Sequence, residues 1–444
     1  TNTPPHASQR GPGGVQEVAL IEPIMSKAAR QLGIDQVEFR RINSPSGAAE
    51  YGPANDEGSR RNVTSANVSE ALDMGAEIFN WEERRQRSGQ RNGTKVTGVG
   101  VAVSSYVGGS LGYDGLFVIK PDGKLYVTSG PGNLGTHSVF DTTRAACEVL
   151  DFPFENVEVA WGDTSRNLPW SASQGGSQTT HAHTRANWAA GLDAKRKLQE
   201  IAARDLGGSA DDYDVADGRV FHRSNRSRYL TFARAAERAI QLGGTYDGHE
   251  LPEDINPFTV TSATNLAGQG LMGIARDNFG RDGDTYTFVI GFAEVEVDVE
   301  TGHVRIVDYT ATADCGVILH PRSLGGQIHG GSVQGFGHAL KQKWVFDQHW
   351  GLSVAKRFYS NKPPTLLDVP LNMQWGALDI PDPQTPVGSK GIGEPPQGAG
   401  AGAIVCAVAD AIGDEHMRRT PVTPDMILSS LEEGPDGQLT AHLG

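Results

Sequence analysis

Cysteine is nearly absent: Cys147, Cys315 and Cys406 are the only three in 444 residues, far apart and each in apolar company. With no CxxC pair, neither a zinc ribbon nor a four-cysteine iron–sulfur cluster can be built from the chain alone. Buried, reduced thiols of a cytoplasmic protein are the expectation. Long apolar runs are missing too. No stretch approaches the roughly 20 residues of a bilayer span, and the first residues carry no signal-like pattern. Positive charge is scarce, with 39 Lys and Arg against 53 Asp and Glu and a net charge of −14. That argues against nucleic acid as a partner, because phosphate backbones are held by Lys/Arg stripes. No GxxxxGK[ST] loop is found, which disfavours a phosphate-loop reading.

Glycine, by contrast, is abundant: 56 residues, nearly twice the usual share of about 7%. The glycines cluster in short motifs and not in low-complexity tracts, which suggests backbone brought close to itself or to a ligand. Hydrophobic residues at 38% and charged residues at 21% describe an ordinary soluble chain able to bury a large core, with length for two or three domains.

Periodicity predicts a helix over 15–33 capped by Gly33, exposed connections over 46–66 and 84–94, and then strands in "VTGVGVAVSS", "GLFVIKPDGKLYVTSG" and "NVEVAWGD", with "PDGK" as a hairpin turn. "HSVFDTTRAACEVLDF" and residues 186–206 are expected to be helices, the second after a Gly/Ser/Thr-rich turn at 171–185. Residues 207–285 are polar and are expected to be irregular. Two alternating strands with a hairpin at Glu300–Gly302 follow, then a glycine-spaced helix, "GGQIHGGSVQGFGHALKQK". The fold class is α+β, with antiparallel ribbons and Gly-rich turns leading into helices.

Four Gly-rich segments carry potential chemistry: "RGPGGVQ" (10–16), "GPGNLGTHS" (130–138), "SQGGSQTTHAHTRA" (173–186) and "GGQIHGGSVQGFG" (325–337). Each sets small residues around one or two amide or hydroxyl side chains, and three precede or open a helix, the pattern of a phosphate- or pterin-binding surface. One such segment alone reads better as tight helix packing. "HAH" at 181–183 could suggest metal, but i and i+2 do not share a helix face and no acid or Cys partner is nearby. "SKGIGEPPQGAGAGAIVCAVADAIG" (389–413) sets one acid, Glu394, between Gly393 and Pro395 ahead of a small-residue apolar run. With no Lys or Arg within two residues, that carboxylate is expected to be desolvated and suited to general-base work, unless it serves only as an acid at a helix N-terminus or Lys390 points inward to offset it.

Taken together, "KGIGEPP…AIVCAVADAIG", "DCGVILHPRSLGGQIHGGSVQGFGHAL", "AEVEVDVETGHVRIVDY" and "RGPGGVQ" closely resemble the molybdopterin-binding subunit of the molybdenum hydroxylases, the xanthine dehydrogenase/aldehyde oxidase family. The resemblance covers nearly the whole chain and is weakest over 207–285. It implies a molybdenum-dependent oxidoreductase that hydroxylates an electron-poor carbon of an N-heteroaromatic or aldehyde, with water as the oxygen source. It makes Glu394 the general base that takes the proton from the water-derived nucleophile. It places Arg10, Gly11 and Gly13 beside the metal, Gly175, Gly176, Ser177 and Thr179 around the pterin and its phosphate, and Gln327, Lys390, Gly391 and Gly393 on the cofactor. The metal itself is held through the pterin dithiolene, with no direct protein ligand. Pro12 stands where the family has an aromatic, and Tyr106 falls near the second aromatic of the substrate sandwich. Gly135 and Thr136 match a turn that usually carries glutamine in place of Thr136.

The family's GGxFGx(K/R) segment, with its glutamine beside the metal, has no counterpart here. The opening "TNTPPHASQRGPGGVQ" reads like the inside of a domain. The resemblance therefore implies 1–90 as the tail of a first cofactor-binding domain with a linker, and 91–444 as a second one with a variable insertion at about 207–285. It also implies a cofactor in the molybdopterin cytosine dinucleotide form, shared with a chain carrying the first half of the molybdenum domain. FAD and [2Fe-2S] clusters would lie on partner subunits. Alternatives stay open: other molybdenum redox chemistry on the same fold (reductive dehydroxylation, alcohol oxidation or hydration), or a non-catalytic cofactor-binding subunit.

Overall fold

The computed structural model describes residues 7–171, 174–417 and 419–434. Its principal elements run in chain order as helix α1 (Gly14–Leu32), strands β1 (Lys95–Val107), β2 (Asp114–Ile119), β3 (Leu125–Thr128) and β4 (Val157–Ala160), helix α2 (Thr179–Leu206), strands β5 (Leu271–Arg276), β6 (Tyr286–Asp298) and β7 (Val304–Asp314), helix α3 (Pro321–Leu340), strand β8 (Asn372–Ala377) and helix α4 (Pro395–Ile412). The chain divides into two compact units. The first takes the chain up to Gly108, then Gly283–Ile380 and Ile392 onward; the second takes Gly109–Asp282 and Pro381–Gly391.

The first unit is built on a five-stranded sheet ordered β8–β7–β6–β1 with Arg91–Asn92 at its edge, antiparallel except for the β7–β8 pair. Strand β1 explains its own position. Val99, Val101 and Val103 alternate toward Leu72, Phe79 and Phe292, one apolar core, and a fully buried valine contributes roughly 1.5–3 kcal/mol. The other face of β1 carries Gly98, Gly100 and Ala102, and there α4 lies almost against the backbone. A Cβ on Gly100 would stand 2.4 Å from Ala403 O and 2.4 Å from Ala407 N. Helix α4 answers with glycines of its own: a Cβ on Gly402 would meet Ala102 Cβ at 2.7 Å, and one on Gly400 would meet Ser332 O of α3 at 2.5 Å. The apolar run of α4 is therefore a core helix wedged between a sheet and α3, held by small-residue contact and not by large side chains. Arg30 of α1 pairs with Asp410 at 3.3 Å near its far end.

In the second unit a four-stranded sheet has the order β5–β2–β3–β4, with the expected hairpin between β2 and β3. Helix α2 packs on it through Ala182, Ala186, Ala190 and Ala194, all buried. Three expectations are corrected here. Helix α2 begins at Thr179, seven residues before the expected start, because burial of its alanine stripe outweighs the poor helix propensity of the Thr- and His-rich first turns. The helix expected over 137–152 is two short ones, Ser138–Asp141 and Arg144–Leu150, broken at the adjacent Thr142 and Thr143. Residues 207–285 are not irregular. They form a three-stranded sheet (Tyr213–Ala216, Arg219–His222, Asn225–Thr231), helices Phe232–Leu242 and Pro257–Leu266, and β5. Asp217 and Gly218, at φ 48° and 69°, make the two-residue hairpin turn that a right-twisted antiparallel pair favours.

Candidate functional site

In the first unit the acid that stands alone in sequence is not alone in space. Glu394 is 8% exposed and occupies the position just before α4, yet its side chain makes no capping hydrogen bond to that helix. Pro395 and Pro396 fill the first two helical positions, where they remove two N–H groups a capping carboxylate could use. Arg10, which precedes α1, is folded against the same turn. Its Nε donates to the carbonyl of Gly393, its Nη2 donates to Gln327 O at 3.2 Å and to Gln327 Oε1 at 3.1 Å, and its Nη1 reaches Gln334 Oε1 at 3.5 Å. One guanidinium thus ties together the RGPGG turn, the GQIHGG helix and the GEPP turn. Burial lowers the Arg10 pKa, and the Glu394 carboxylate opposes that fall.

Around this clamp the turn is close-fitting. Gly11, at φ 69°, leaves room for Val15 Cγ2, which a Cβ would meet at 2.9 Å, and for Glu394 Cβ at 3.7 Å. Gly13, at φ 83°, caps α1, with its N–H donating to Gln16 Oε1 at 3.0 Å. Tyr106 Oη donates to Pro12 O at 3.1 Å, and a Cβ on Gly14 would strike the Tyr106 ring at 2.9 Å. Burial raises the Tyr106 pKa, with the Glu394 charge adding to it. The first unit therefore brings together Arg10, Gly11, Pro12, Gly13, Tyr106, Gln327, Gly393 and Glu394.

The sequence reading missed Gln397 and His338. Gln397, the lone amide of α4, is fully buried; its Nε2 donates to Gln9 Oε1 at 3.1 Å and lies 2.6 Å from His338 Nε2. Its Oε1 has no hydrogen-bond partner among the described residues. The signal available was a single amide side chain one turn after Glu394, in a helix whose other polar side chain, Asp410, lies near its far end. On α3, Gly325, Gly331, Gly335 and Gly337 each have a neighbour that a Cβ would strike, whereas Gly326 and Gly330 have nothing within 4 Å.

The remaining candidates lie in the second unit. The 130–138 turn packs on the segment around Pro169, whose carbonyl a Cβ on Gly130 would meet at 2.1 Å. Asn133 Oδ1 accepts from Gly135 N at 2.9 Å and Thr136 N at 3.1 Å, and Thr136 Oγ1 bonds Ser138 Oγ at 2.9 Å. A Cβ on Gly132 would lie 3.5 Å from Gln174 Oε1, so this turn and the Gly175–Gly176–Ser177 turn adjoin. Ser173 of that segment lies outside the described residues. Gly135, Gly175 and Gly176 have no atom within 4 Å of a built Cβ, and Ser177 holds φ 51°, a conformation that costs about 1 kcal/mol or more in a non-glycine residue. Thr179 is the first residue of α2. Lys390 is buried, and the adjacent buried Ser389 Oγ has no partner among the described residues. Gly391 closes that segment of the unit. Burial pushes His181 down to about 4, with the positive charges of Arg185, Arg281 and Lys390 adding to the effect; burial alone takes His183 to about 4. The two histidines stand as neutral core groups.

Taken separately, the orphaned Gln397 Oε1 and open Gly330 of the first unit, and the orphaned Ser389 Oγ, open Gly135, Gly175 and Gly176 and buried Lys390 of the second, each suit an organic group rich in hydrogen-bonding atoms. Among the described residues no group of three His, Cys, Asp or Glu could hold a metal ion, and no helix is long and apolar enough to cross a membrane.

A family model described as the molybdopterin cofactor-binding domain matches residues 74–370, and a second with that description matches residues 1–44. The chain belongs to the molybdopterin cofactor-binding family. It is similar to the aldehyde oxidoreductase molybdenum-binding subunit of Escherichia coli O157:H7, 29% identical over 434 residues, covering 96% of this chain and 52% of that protein. It is also similar to the xanthine dehydrogenase molybdenum-binding subunit of the same organism, 28% identical over 430 residues, covering 96% and 53%. Among solved structures, quinoline 2-oxidoreductase from Pseudomonas putida 86 shares the fold, with a TM-score of 0.79 at 24% identity over 97% of this chain and 53% of that one. The chain thus spans about half the length of the curated relatives it matches.

Proposed function

We propose that this chain is the base-bearing part of a multi-subunit molybdenum hydroxylase. It would convert an electron-poor C–H, in an N-heteroaromatic or an aldehyde, to C–OH with oxygen from water. The balance is R–H plus water giving R–OH, two protons and two electrons. The cofactor, in its cytosine dinucleotide form, supplies the two-electron redox centre when bound. Electrons leave through [2Fe-2S] and FAD groups on partner subunits, and a chain carrying the first half of the molybdenum domain completes the cradle.

The observation that carries this reading is Glu394: a buried carboxylate on the end of a core helix, unused as a cap, with a guanidinium clamped to the carbonyl just before it. Its carboxylate accepts the proton from the water-derived nucleophile. Helix α4 cannot shift without breaking its glycine contacts, so the proton acceptor is held in place. Arg10 orients the turn and supplies positive charge beside the acid. Tyr106 and Pro12 form one wall of the substrate space, and Gly13 and Gln327 hold the cofactor on this side. In the second unit the backbone of the Gly135–Thr136 and Gly175–Ser177 turns, the first turn of α2 from Thr179, and Lys390 with Gly391 bind its pterin and phosphates.

Replacing the acid by its near-isosteric amide tests the role. Glu394→Gln leaves packing in place but cannot take a proton, and general-base loss costs about 10²–10⁴ in rate. Steady-state turnover of wild-type and variant complexes at matched molybdenum content is expected to differ by at least that factor. A variant keeping more than about a tenth of the activity overturns the role.

A further inference from the structure

The Arg10 clamp ends on the carbonyl just before Glu394. A second set of contacts joins the same three elements one turn into α4. Gln397 is fully buried there, and its backbone N–H donates to Glu394 O at 3.1 Å. Its Nε2 donates to Oε1 of the exposed Gln9 at 3.1 Å and lies 2.6 Å from His338 Nε2 on α3. An amide nitrogen only donates, so His338 accepts through Nε2 and carries its proton on Nδ1. Helix α4 is already fixed by its glycine contacts. What the Gln397 amide secures is therefore Gln9, the residue before Arg10.

The arrangement is sensitive to one proton. With a second proton on His338, its Nε2–H faces the Gln397 NH2, donor against donor. Turning the Gln397 amide over puts Oε1 on the ring but sets it against Gln9 Oε1, acceptor against acceptor. If Gln9 turns as well, the buried oxygen that now lacks a partner among the described residues is exchanged for a buried, unmatched NH2. Unpaired buried N–H groups are the rarer and costlier case. By either route acid weakens the contact with Gln9. The charged groups on these elements are Arg10 and Glu394 and, one turn along α3, Lys341, which pairs with Asp368. Burial alone lowers the His338 pKa. The contact is thus present at neutral pH and is lost as pH falls through that lowered value, below the usual value of about 6.5.

We propose that His338 and Gln397 are positioning residues: the neutral imidazole orients the Gln397 amide, the amide holds Gln9, and Gln9 sets the Arg10 turn beside Glu394. The inference rests on the reading of Glu394 as the proton acceptor.

Two measurements on the full chain need no cofactor. Histidine-labelled NMR, with His338→Gln assigning the signal, should show the Nδ1–H tautomer of His338 at about pH 7.5. Amide exchange of residues 10–16 at about pH 5 should run at least about tenfold faster than in His338→Gln at the same pH, because that glutamine accepts from Gln397 but takes no proton. In the complex at matched molybdenum content, Gln397→Leu and His338→Phe should each lower kcat at least about tenfold, with KM within about twofold. His338→Gln should recover most of that loss and move the acid limb of kcat to lower pH. Variants that melt earlier but keep wild-type kcat and pH profile reduce the pair to packing and overturn the proposal, as does an Nε2–H tautomer. If the tautomer and exchange results hold while the complex hydroxylates no heteroaromatic or aldehyde, the reading of Glu394 falls and the hold on Arg10 stands. If Glu394→Gln abolishes turnover while Gln397→Leu and His338→Phe keep it, the reading of Glu394 stands and the positioning role falls.

Discussion

Gly100→Ala puts a methyl group into the closest strand–helix contact in the first unit. The new Cβ would sit 2.4 Å from Ala403 O, 2.4 Å from Ala407 N and 2.9 Å from Cys406 C. All three are backbone atoms of α4, so no rotamer change relieves the clash. Restoring ordinary contact near 3.4 Å requires the helix or the strand to move by about 1 Å, in a helix whose other side is held by Gly400 against Ser332. Overpacking of this kind typically costs 1–3 kcal/mol; with both sides backbone, the upper end, about 3 kcal/mol, is expected. The same displacement carries Glu394, at the head of α4, and a misplacement of about 1 Å can cost on the order of a hundredfold in rate. The assay pairs amide exchange in α4, which reports the local loss, with turnover at matched molybdenum content. Exchange of α4 within experimental error of wild type, together with unchanged turnover, refutes the close-contact account of how the acid is held.

Gly330→Ala should act in the opposite direction. Nothing lies within 4 Å of its Cβ, so the apo chain should gain about 1 kcal/mol from helix propensity. If the open face of α3 carries cofactor or a covering chain, the molybdenum content of the complex should fall; a stabilised variant that still loads fully refutes a ligand on that face. The second unit should weaken in acid. His181 and His183 stay neutral in the fold, with pKa values pushed down to about 4, while the unfolded chain protonates them near 6.5. The unfolded state therefore takes up protons first. Stability should be fully present above about pH 6.5, fall by up to about 3 kcal/mol per histidine as pH drops toward 4, and level off below that. Denaturant midpoints across that range check it, and His183→Gln should remove about half of the slope.

Much of this arrangement could be read along the sequence. Gly33 marked the end of α1, "PDGK" the β2–β3 hairpin, and the apolar run after Glu394 a core helix. The motifs that meet at the Arg10 clamp could be picked out because each is local: a few small residues around one polar side chain. What was not legible was their assembly. Nothing near Glu394 announces Arg10, or near Gln397 announces His338, because those partners come from the far end of the chain and from α3. Helix α2 was shortened because Thr179–Arg185 has poor intrinsic propensity, and only packing of Ala182 and Ala186 on the sheet shows that it is helical. Residues 207–285 were passed over for their polarity, although Asp217–Gly218 between two short alternating stretches was a hairpin signal.

The Arg10 clamp also orders events in time. Its donors lie near the start of the described chain, while its acceptors, Gln327, Gln334 and Gly393, belong to the last third. At a synthesis rate of about 5–20 residues per second, the guanidinium is made roughly 20–80 s before the carbonyl that it holds. No folding intermediate formed before residue 393 is made can contain the finished turn. Until then Arg10 is a cation without the carbonyl and the acid that flank it in the finished fold.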